Sequence, residues 1–464
     1  MQKFDAVVVG GGPGGYECAI RLSQNGLKTA LVEEAELGGT CLNRGCIPTK
    51  TLLHSADVYH DAKNGASFGV NAGELSFDYA KIIQRKNAVA KQLSNGVAFL
   101  EKNHGVTVFA SHATLSDRNT VDLADGETLK CDHLIVATGS SPARIPIPGV
   151  DLPGVVDSTG LLNMTECPKH IIIVGGGVIG VEFATFFYRL GVPVTIVEML
   201  DRVLGPLDKD VTDFVEAELK RCGVELVLGV RVESIETGLK VNYATVKDGT
   251  KGSVEGDVVL MAGGRSPNTK GIGLEKLGVR MDRKGFVEID GLCRTNVPGV
   301  YAIGDINGKM QLAHVASAQG LLVADHIAGK PCKQLNYNRI PSCVYCNPET
   351  AMVGLTEEQA RATGRDVGTG TFNLSGNGKA LTMGENKGFA KFIYDKATDE
   401  ILGFHVIGPR ATDLAAEVAA VMECEGTVAE IGRTVHPHPT ISEAVMEAAH
   451  VCHGACVNAP KPRK

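Results

Sequence analysis

Short apolar runs, most of them followed closely by glycine, recur along the first two thirds of the chain. Runs that are apolar at nearly every position are typical of strands buried in a parallel sheet. Between them, residues 80–103 predict one long helix and residues 106–129 predict a group of short strands. Strands that alternate with helices in this way favour an α/β fold. The predicted buried strands lie at 4–9, 29–32, 134–137, 171–174, 194–197, 257–262 and 300–303.

The pattern changes in the last part of the chain. Strands predicted at 351–354, 369–373 and 389–395 alternate with turns, and a helix predicted at 411–425 is apolar on one face. This part therefore predicts a separate α+β domain, followed by a basic tail at 461–464.

Two glycine-rich turns with the same spacing each follow a predicted strand and open a helix. In each copy the helix leads to a second strand that ends at a glutamate. This order is the dinucleotide-binding fingerprint, in which backbone amides approach the pyrophosphate and the acid meets ribose hydroxyls. The sequence therefore predicts two dinucleotide sites. They are formed by Gly10, Gly12, Gly15 and Glu33, and by Gly175, Gly177, Gly180 and Glu198.

The acid of the second copy also predicts which dinucleotide binds there. Glu198 can accept hydrogen bonds from a free 2′-hydroxyl and repels a 2′-phosphate, which favours NAD over NADP. Because a thiol pair follows the first copy, we expect a flavin at the first site and a nicotinamide at the second.

Cys41 and Cys46 follow the turn Gly38-Gly39 and are separated by four residues. Within the first turn or so of a helix, two thiols at this spacing can reach disulfide distance. The helix N-terminus and the cation of Lys50 are expected to lower the thiol pKa and to favour the thiolate. The alternative is that two small apolar side chains pack under a turn, but the surrounding glycines, proline and lysine favour a redox pair.

Two other strand ends are candidates for cofactor contacts. The predicted strand at 134–137 closes on Thr138 and Gly139, a small-residue turn that can sit against a cofactor. The strand at 300–303 leads to Asp305, which either caps a helix or holds a cofactor hydroxyl.

A histidine near the end of the chain is a candidate general base. His438 lies between two prolines, and Glu443 follows five residues later, so that its carboxylate can orient the imidazole. We interpret His436, the first histidine of the same segment, as a structural residue.

Composition limits the class of protein. A length of 464 residues predicts roughly three or four domains, and 44% hydrophobic with 21% charged residues indicates a globular chain. The net charge of −7, without a basic stripe, argues against nucleic-acid binding. Thirteen cysteines without a regular framework favour a reducing compartment. With no signal or transit sequence and no apolar run long enough to span a membrane, we expect a cytoplasmic protein or a processed mature form.

Taken together, the motifs resemble the flavin-dependent pyridine nucleotide-disulfide oxidoreductases along essentially the whole chain. Within that family they resemble the dihydrolipoamide dehydrogenases, because Glu198 and the segment Ile47-Pro48-Thr49-Lys50 differ from NADPH-using glutathione reductases. The chain departs from the usual pattern at Arg44 and Cys346. The motifs that carry the resemblance are Gly38 to Lys50, the two fingerprints with Glu33 and Glu198, Ala137-Thr138-Gly139, Thr295 through Asp305, and His438-Pro439-Thr440 with Glu443.

The resemblance implies a role for each catalytic residue. Cys46 would lie on the flavin and form the charge-transfer pair, Cys41 would exchange with substrate, and Lys50 would lie beside the flavin N5. His438 and Glu443 would be the base and its orienting carboxylate, supplied by the other subunit of a homodimer.

The resemblance also implies the cofactor contacts. Glu182 would be the partner of Lys50 near the nicotinamide, Asp305 would hold the ribityl chain, and the amide of Ala313 would approach the flavin ring. The implied cofactor-binding residues are Gly10, Gly12, Gly15, Glu33, Gly39, Thr40, Lys50, Ala113, Thr138, Gly139, Asp305, Ala313, Gly175, Gly177, Gly180, Glu182, Glu198 and Gly264.

The implied fold is α/β, with two Rossmann-like dinucleotide-binding domains, for FAD and NAD, and a C-terminal α+β dimerisation domain. The implied boundaries are residues 1–147 for the FAD-binding domain with the redox disulfide, 148–268 for the NAD-binding domain, 269–337 for a central segment that completes the FAD domain, and 338–464 for the interface domain.

The implied activity is oxidation of protein-bound dihydrolipoamide by NAD, through FAD and the Cys41–Cys46 disulfide. The partners would be a second copy of the chain and a lipoyl-bearing carrier or complex core of a 2-oxoacid dehydrogenase or glycine cleavage assembly. We expect no metal at Cys343, Cys346, Cys452 and Cys456, although their spacing could hold one. The alternatives are an NAD(P)H-dependent reductase of another small disulfide and a mainly scaffolding subunit.

Overall fold

The computed structural model describes residues 1–460, so the predicted basic tail at 461–464 lies outside the described residues. The strands are β1 (Gln2–Val9), β2 (Thr29–Glu33), β3 (Thr107–Ala110), β4 (Ala113–Asp117), β5 (Thr120–Leu123), β6 (Thr128–Val136), β7 (Ser140–Pro142), β8 (Val155–Asp157), β9 (Ile171–Val174), β10 (Val194–Val197), β11 (Glu225–Val227), β12 (Val230–Glu236), β13 (Lys240–Thr245), β14 (Lys251–Glu255), β15 (Val258–Met261), β16 (Arg265–Pro267), β17 (Val300–Ala302), β18 (Ser342–Val344), β19 (Thr350–Gly354), β20 (Val367–Asn373), β21 (Phe389–Asp395) and β22 (Ile401–Ile407). The α-helices are α1 (Pro13–Gln24), α2 (Gly39–Arg44), α3 (Cys46–Asn64), α4 (Tyr79–Asn103), α5 (Ser158–Leu162), α6 (Val178–Leu190), α7 (Lys209–Arg221), α8 (Ala313–Ile327), α9 (Glu357–Ala362), α10 (Gly378–Met383), α11 (Ala411–Glu423), α12 (Val428–Arg433) and α13 (Glu443–Cys452).

The first of two compact units is built around a seven-stranded sheet. This unit contains Met1–Ile145, Val156–Cys167 and Gly263–Leu335. Its strand order is β3-β2-β1-β6-β5-β4, and β17 pairs with β6. The strands β1, β2, β3, β6 and β17 run parallel, as their apolar runs predict, whereas β4 and β5 form an antiparallel excursion. Val7 and Val8 point to opposite faces and both are fully buried, so helices or strands cover each side of the sheet.

Close backbone contact between α1 and α8 completes this unit. A Cβ at Gly14 would lie 2.8 Å from the Ala316 carbonyl oxygen, and one at Gly320 would lie 2.4 Å from the Gly14 carbonyl oxygen. Glycine at both positions therefore lets the two helices meet without intervening side chains.

The second unit contains Pro146–Val155, Pro168–Ala262 and the chain from Asn336 onward. Strands β11, β10, β9 and β15 form a parallel sheet in that order, with α6 as the first crossover helix. A further sheet has the order β18-β19-β22-β21-β20 and is antiparallel. Helices α11 and α13 pack on it around Phe392 and Phe404, which are fully buried.

The predicted fold class is confirmed, with two Rossmann-like sheets and a C-terminal α+β part. The long helix predicted at 80–103 is α4, and the helix predicted at 411–425 ends at Glu423 because Glu425 adopts a positive φ of 58°. Among residues 1–460, every helix is too short or too polar to cross a lipid bilayer.

Candidate redox and dinucleotide sites

The first glycine fingerprint forms a tight turn between β1 and α1. Gly10 has a φ of +108°, and a Cβ there would lie 2.3 Å from the Ala137 carbonyl oxygen. A Cβ at Gly15 would lie 1.8 Å from the Gly10 carbonyl oxygen, whereas one at Gly12 would have no described atom within 4 Å. Gly12 is also the N-cap of α1. The turn is therefore crowded on the protein side and open at the helix N-terminus, where a phosphate can approach backbone amides.

Glu33 is held beside this turn at the end of β2. Its carboxylate accepts hydrogen bonds from the amide of Gly11 at 2.6 Å and from the amide of Ala35 at 2.8 Å. The acid is thus fixed in place at the carboxyl end of the sheet, where a ribose would lie.

The second fingerprint repeats the same geometry between β9 and α6. Gly175 has a φ of +117°, a Cβ at Gly180 would lie 2.0 Å from the Gly175 carbonyl oxygen, and one at Gly177 would have no described atom within 4 Å. Glu198 accepts the amides of Gly176 at 2.5 Å and Leu200 at 2.8 Å. Both turns therefore leave an open space for a pyrophosphate beside a fixed acid, so the residues present fit two bound dinucleotides.

Helix α2 lies against the first fingerprint. The amide of Gly38 donates to the Gly11 carbonyl at 2.8 Å, and Gly39 has a φ of +55°. A Cβ at Gly39 would lie 2.7 Å from the Gly12 Cα. Helix α2, which contains Thr40 and Cys41, therefore begins directly beside the open part of the turn.

The two cysteines lie on two helices, which corrects the prediction of a single helix. Cys41 is inside α2, Gly45 interrupts the helix with φ −148° and ψ −109°, and Cys46 is the first residue of α3. Both are present as thiols, and the side chain of Cys41 is hydrogen-bonded to Cys46. The break at Gly45 therefore brings the pair together although the two cysteines lie on different helices.

The pKa of the Cys41 thiol is raised far above its usual range, which is the opposite of the predicted lowering. The hydrogen bond to Cys46 is the main cause and burial is the second, while Lys50 offsets them only in part. The hydrogen bond and burial therefore both favour the protonated form of Cys41.

Asp305 does not cap a helix. It lies in a 3-10 turn, Gly304–Asn307, and its carboxylate accepts the Ser140 hydroxyl at 2.5 Å. Arg265, a residue that sequence reasoning did not single out, donates to the Ser140 hydroxyl at 2.7 Å and lies 3.8 Å from Asp305. The only sequence signal for Arg265 was a charged residue next to a buried strand.

The turn after β6 is tied to the chain that returns after β15. The Thr138 hydroxyl donates to the Asn268 carbonyl and the Asn268 amide group donates to the Thr138 carbonyl, both at 2.8 Å. Gly139 and Gly264 have positive φ values of 70° and 113°, and a Cβ at either would have no described neighbour within 4 Å. This turn therefore exposes backbone, as a cofactor contact requires.

Ala313 and Ala113 occupy different environments. Ala313 is the first residue of α8, so its amide is one of those that a helix N-terminus leaves without an intrahelical acceptor. Ala113 is in β4 opposite Leu123 and its side chain is 5% exposed within the core. The structure offers no explanation for a cofactor role of the Ala113 side chain.

His438 and Glu443 form a hydrogen-bonded pair before α13. The His438 Nδ1 lies 2.9 Å from Glu443 Oε1, and the amide of Thr440 donates to Glu443 Oε2 at 2.9 Å. Burial acts to raise the pKa of Glu443, but the Thr440 amide and the His438 ring outweigh it and hold that pKa below its usual range. The side chain of His438 is 76% exposed, so Glu443 fixes the orientation of an imidazole that faces solvent.

His436 has the structural position predicted for it. Its side chain is 3% exposed, with Nε2 at 2.8 Å from Glu417 Oε1 and Nδ1 at 2.8 Å from the Thr434 carbonyl. The Glu417 hydrogen bond raises the pKa of His436.

Glu182, Cys346 and Cys456 lie in the second unit, whereas Arg44 lies in the first. Glu182 is 3% exposed and accepts the Tyr345 amide at 3.0 Å. Burial raises the pKa of the adjacent Cys346 thiol to about 12, and its Sγ donates to the Pro348 carbonyl at 3.1 Å. The Cys456 Sγ donates to Glu447 Oε2 at 3.0 Å. No group of three His, Cys, Asp or Glu side chains suited to a metal ion occurs between residues 1 and 460.

Family comparisons cover nearly the whole chain. Residues 4–320 match the family described as pyridine nucleotide-disulphide oxidoreductase, and residues 340–449 match the dimerisation domain of that family. The dihydrolipoyl dehydrogenase of Bacillus subtilis is 40% identical over 471 residues, which cover 98% of this chain and 99% of that protein. The dihydrolipoyl dehydrogenase of Mycobacterium tuberculosis is 42% identical over 465 residues, which cover 99% of this chain and all of that protein.

Solved structures are also similar to this chain over nearly its whole length. LpdA from Mycobacterium tuberculosis is 29% identical and superposes with a TM-score of 0.88 over 97% of this chain and 99% of that one. The HOCl-induced flavoprotein disulfide reductase RclA from Escherichia coli is 30% identical, with a TM-score of 0.85 over 95% of this chain and 98% of that one.

Proposed function

This chain belongs to the pyridine nucleotide-disulphide oxidoreductase family, and on that premise we propose that it oxidises protein-bound dihydrolipoamide with NAD. Membership makes it a flavoprotein disulfide oxidoreductase with FAD and NAD as cofactors, and the dimerisation domain supports a homodimer. The relatives named dihydrolipoyl dehydrogenase match it over essentially their whole length.

The observation that carries the proposal is the Cys41–Cys46 pair. Two hydrogen-bonded thiols stand beside the first fingerprint, one of them at the N-terminus of a 19-residue helix. The raised pKa of Cys41, which favours its protonated form, supports different tasks for the two sulfurs. Cys41 is the sulfur that exchanges with substrate and can leave as a thiol, and Cys46 is the sulfur that carries charge.

His438 starts the exchange by removing one substrate proton. Because Nδ1 is hydrogen-bonded to Glu443, it carries the ring proton, and Nε2 is the basic nitrogen. The substrate thiolate attacks Cys41 of the Cys41–Cys46 disulfide and displaces Cys46 as a thiolate. The second substrate thiol then displaces Cys41, which takes that thiol's proton, and the oxidised disulfide substrate leaves. Two substrate thiols are oxidised, two cysteines are reduced, one proton ends on His438 and one on Cys41.

FAD held at the first fingerprint would supply the two-electron chemistry that links the thiol pair to hydride acceptance by NAD at the second fingerprint. Glu198 gives the second site its preference, because its fixed carboxylate accepts hydroxyl hydrogen bonds and repels a 2′-phosphate. Loss of such a contact corresponds to about 1 to 3 kcal/mol, or roughly ten- to a hundredfold in NAD over NADP.

The exposed His438 is the basis for a subunit-shared site. An imidazole that is 76% exposed in one chain yet fixed by Glu443 is suited to serve thiols of a second copy. We therefore propose that each active site combines Cys41 and Cys46 of one subunit with His438 of the other.

A substrate comparison tests the proposal. The purified dimer is assayed with dihydrolipoamide, a lipoyl-bearing carrier domain and free glutathione, each with NAD and with NADP. We expect turnover with dihydrolipoamide and NAD, and a higher kcat/KM with the carrier domain than with free dihydrolipoamide. Equal kcat/KM with NAD and NADP would contradict the cofactor assignment.

The likeness to RclA favours one second candidate, a reductase of another disulfide. The same assay in reverse distinguishes the two functions. If NADH-driven reduction of a different disulfide has a kcat/KM well above that of dihydrolipoamide oxidation, the second candidate replaces the first.

A further inference from the structure

A loop that follows Glu198 contacts the second glycine fingerprint. This segment, residues 199–207, is called the 199–207 loop below. The amide of Leu204 donates to the Gly176 carbonyl at 2.8 Å, and a Cβ at Gly176 would lie 3.0 Å from the Val203 side chain. Leu204 adopts a positive φ of 51°, a conformation that persists only where surrounding contacts impose it. The loop ends at the start of α7, so its position depends on where that helix is held.

The start of α7 is held by an ion cluster in which Lys391 and Asp208 are buried and Asp210 and Glu357 are partly exposed. Lys391, on β21, has a side chain that is 3% exposed, and its ammonium lies 3.0 Å from Asp208 Oδ1, 2.6 Å from Asp210 Oδ2 and 2.8 Å from Glu357 Oε2. Asp208 also caps two helices. Its carboxylate accepts the Asp210 amide at 3.2 Å in α7 and the Glu357 amide at 2.8 Å in α9. One lysine of the C-terminal sheet therefore joins the first turns of α7 and α9.

The cluster tolerates little movement. Burial acts to lower the pKa of Lys391, but the three carboxylates outweigh it and raise that pKa above its usual range. The cross-strand neighbour of Lys391 is His405, whose Nε2 lies 2.9 Å from the Leu355 carbonyl and whose pKa is lowered by burial. Because the lowered pKa of His405 favours an uncharged imidazole, the three carboxylates are the counter-charges of the Lys391 ammonium. A shift of α7 along β21 would leave a buried charge without its partners, which is strongly unfavourable.

Two other contacts keep α7 along the same sheet. The rings of Phe214 and Phe389 are 6.0 Å apart between centroids, and the Lys387 ammonium lies 3.0 Å from Glu218 Oε1. The Lys387 pair is at the C-terminal end of α7, and the Lys387 side chain is 47% exposed. It therefore offers a matched control, a lysine paired with the same helix but remote along it from the 199–207 loop.

We propose that Lys391 is a positioning residue for the second dinucleotide site, which fixes the start of α7 and thereby holds the 199–207 loop against Gly176 and Glu198 in the geometry that binds NAD. This inference rests on the proposed function, because it takes NAD as the ligand of that site. Lys391 acts through α7 rather than through contact with the dinucleotide.

Calorimetric titration of NAD into the FAD-loaded dimer tests the proposal. We expect Lys391→Met to raise the Kd of NAD by roughly 3- to 30-fold, the range typical of a residue that acts on a site through intervening structure. Asp210→Asn, which leaves Lys391 with the carboxylates of Asp208 and Glu357, should raise the Kd of NAD by about twofold or more. Lys391→Arg keeps the cation and should recover part of the loss, and Lys387→Met should bind NAD like the wild type.

A second readout separates positioning from general stability. Reduction of the Cys41–Cys46 disulfide by dihydrolipoamide does not require NAD, so the rate of that reduction should be unchanged in every variant that folds. If Lys391→Met does not fold, Asp210→Asn and Lys391→Arg decide. A lowered melting temperature with an unchanged Kd of NAD would show that the cluster is purely structural and would overturn the inference. Failure of the wild type to bind NAD, or equal affinity in Glu198→Ala, would instead overturn the proposed second cofactor.

Discussion

The surroundings of Cys41 keep its thiol protonated. The hydrogen bond to Cys46 and burial both oppose ionisation of that thiol, and we propose that the reduced pair holds its charge on Cys46. A Cys-x4-Cys motif has the same residue type at both positions, so the motif does not indicate which thiol keeps its proton. The proposed asymmetry arises from the break at Gly45, which places Cys46 at the start of α3.

This asymmetry predicts opposite spectra for two single substitutions. Cys46→Ser should abolish the long-wavelength absorbance band of the two-electron-reduced enzyme, because the charged sulfur is removed, whereas Cys41→Ser should keep it. Because a variant with one thiol of the pair cannot form the disulfide, its remaining thiol faces oxidised flavin without added reductant, and absorbance spectra of both FAD-loaded variants in that state, beside the two-electron-reduced wild type, provide the measurement. A band that survives in Cys46→Ser and disappears in Cys41→Ser would reverse the assignment.

Glu101 is a buried carboxyl that the sequence pattern does not reveal. It is 0% exposed on α4, and neither of its oxygens has a hydrogen-bond partner among residues 1–460. Burial raises its pKa from 4.5 to about 8. In the sequence it is one more acid near the end of a helix, where most acids are solvated.

Glu101 should make stability fall with rising pH. Between pH 4.5 and about pH 8 the folded chain retains a proton that the unfolded chain has lost, so the stabilisation is fully present below that window and is lost across it. The contribution is about 1.4 kcal/mol per pH unit. Melting temperatures measured between pH 5 and pH 8 should therefore decline less in Glu101→Gln than in the wild type. Glu275, which is exposed, is the control position, and a Glu101→Gln profile parallel to that of Glu275→Gln would refute the prediction.

At the scale of elements, strands and glycine turns were predictable because their signals are local. The apolar runs gave β1, β2, β9 and β10, and the spacing of the glycines gave the two turns between them and the following helices. The Lys391 cluster was not predictable, because its members are far apart in the chain and a lysine in a strand indicates an exposed position. Its burial follows from the packing of α7 on β21, which no local pattern contains.

The open positions in the two turns make a paired prediction. A Cβ at Gly12 or at Gly177 meets no described atom, so Gly12→Ala and Gly177→Ala should fold. Each added methyl group would occupy the space of a pyrophosphate, so Gly12→Ala should lose bound flavin and Gly177→Ala should keep flavin but bind NAD about tenfold more weakly, or ~1.4 kcal/mol. Flavin content per chain and NAD titration are the measurements. Gly15→Ala, where a Cβ would lie 1.8 Å from a carbonyl oxygen, is the contrast and should not fold normally. Unchanged affinities in both open-position variants would place the phosphates elsewhere.

At the scale of the whole molecule, the shared site predicts complementation between inactive subunits. His438→Gln should slow dihydrolipoamide oxidation by about 10² to 10⁴ and leave flavin reduction by NADH nearly unchanged, because only the thiol exchange needs the base. Heterodimers of His438→Gln and Cys41→Ser subunits should regain activity, since one of their two sites combines an intact Cys41 with an intact His438. Mixing is followed by activity after subunit exchange has been verified with differently tagged chains. No recovery in verified heterodimers would place His438 in the site of its own chain.

The proposed function requires that the dithiol substrate reduces one particular disulfide, Cys41–Cys46. This is tested by anaerobic treatment of the oxidised, NAD-free dimer with one equivalent of dihydrolipoamide per chain, followed by thiol alkylation and peptide mass spectrometry. We expect that Cys41 and Cys46 alone become newly alkylated, while labelling of Cys343, Cys346, Cys452 and Cys456 does not change. New labelling at any of those four cysteines, or none at Cys41 and Cys46, would contradict the proposed function.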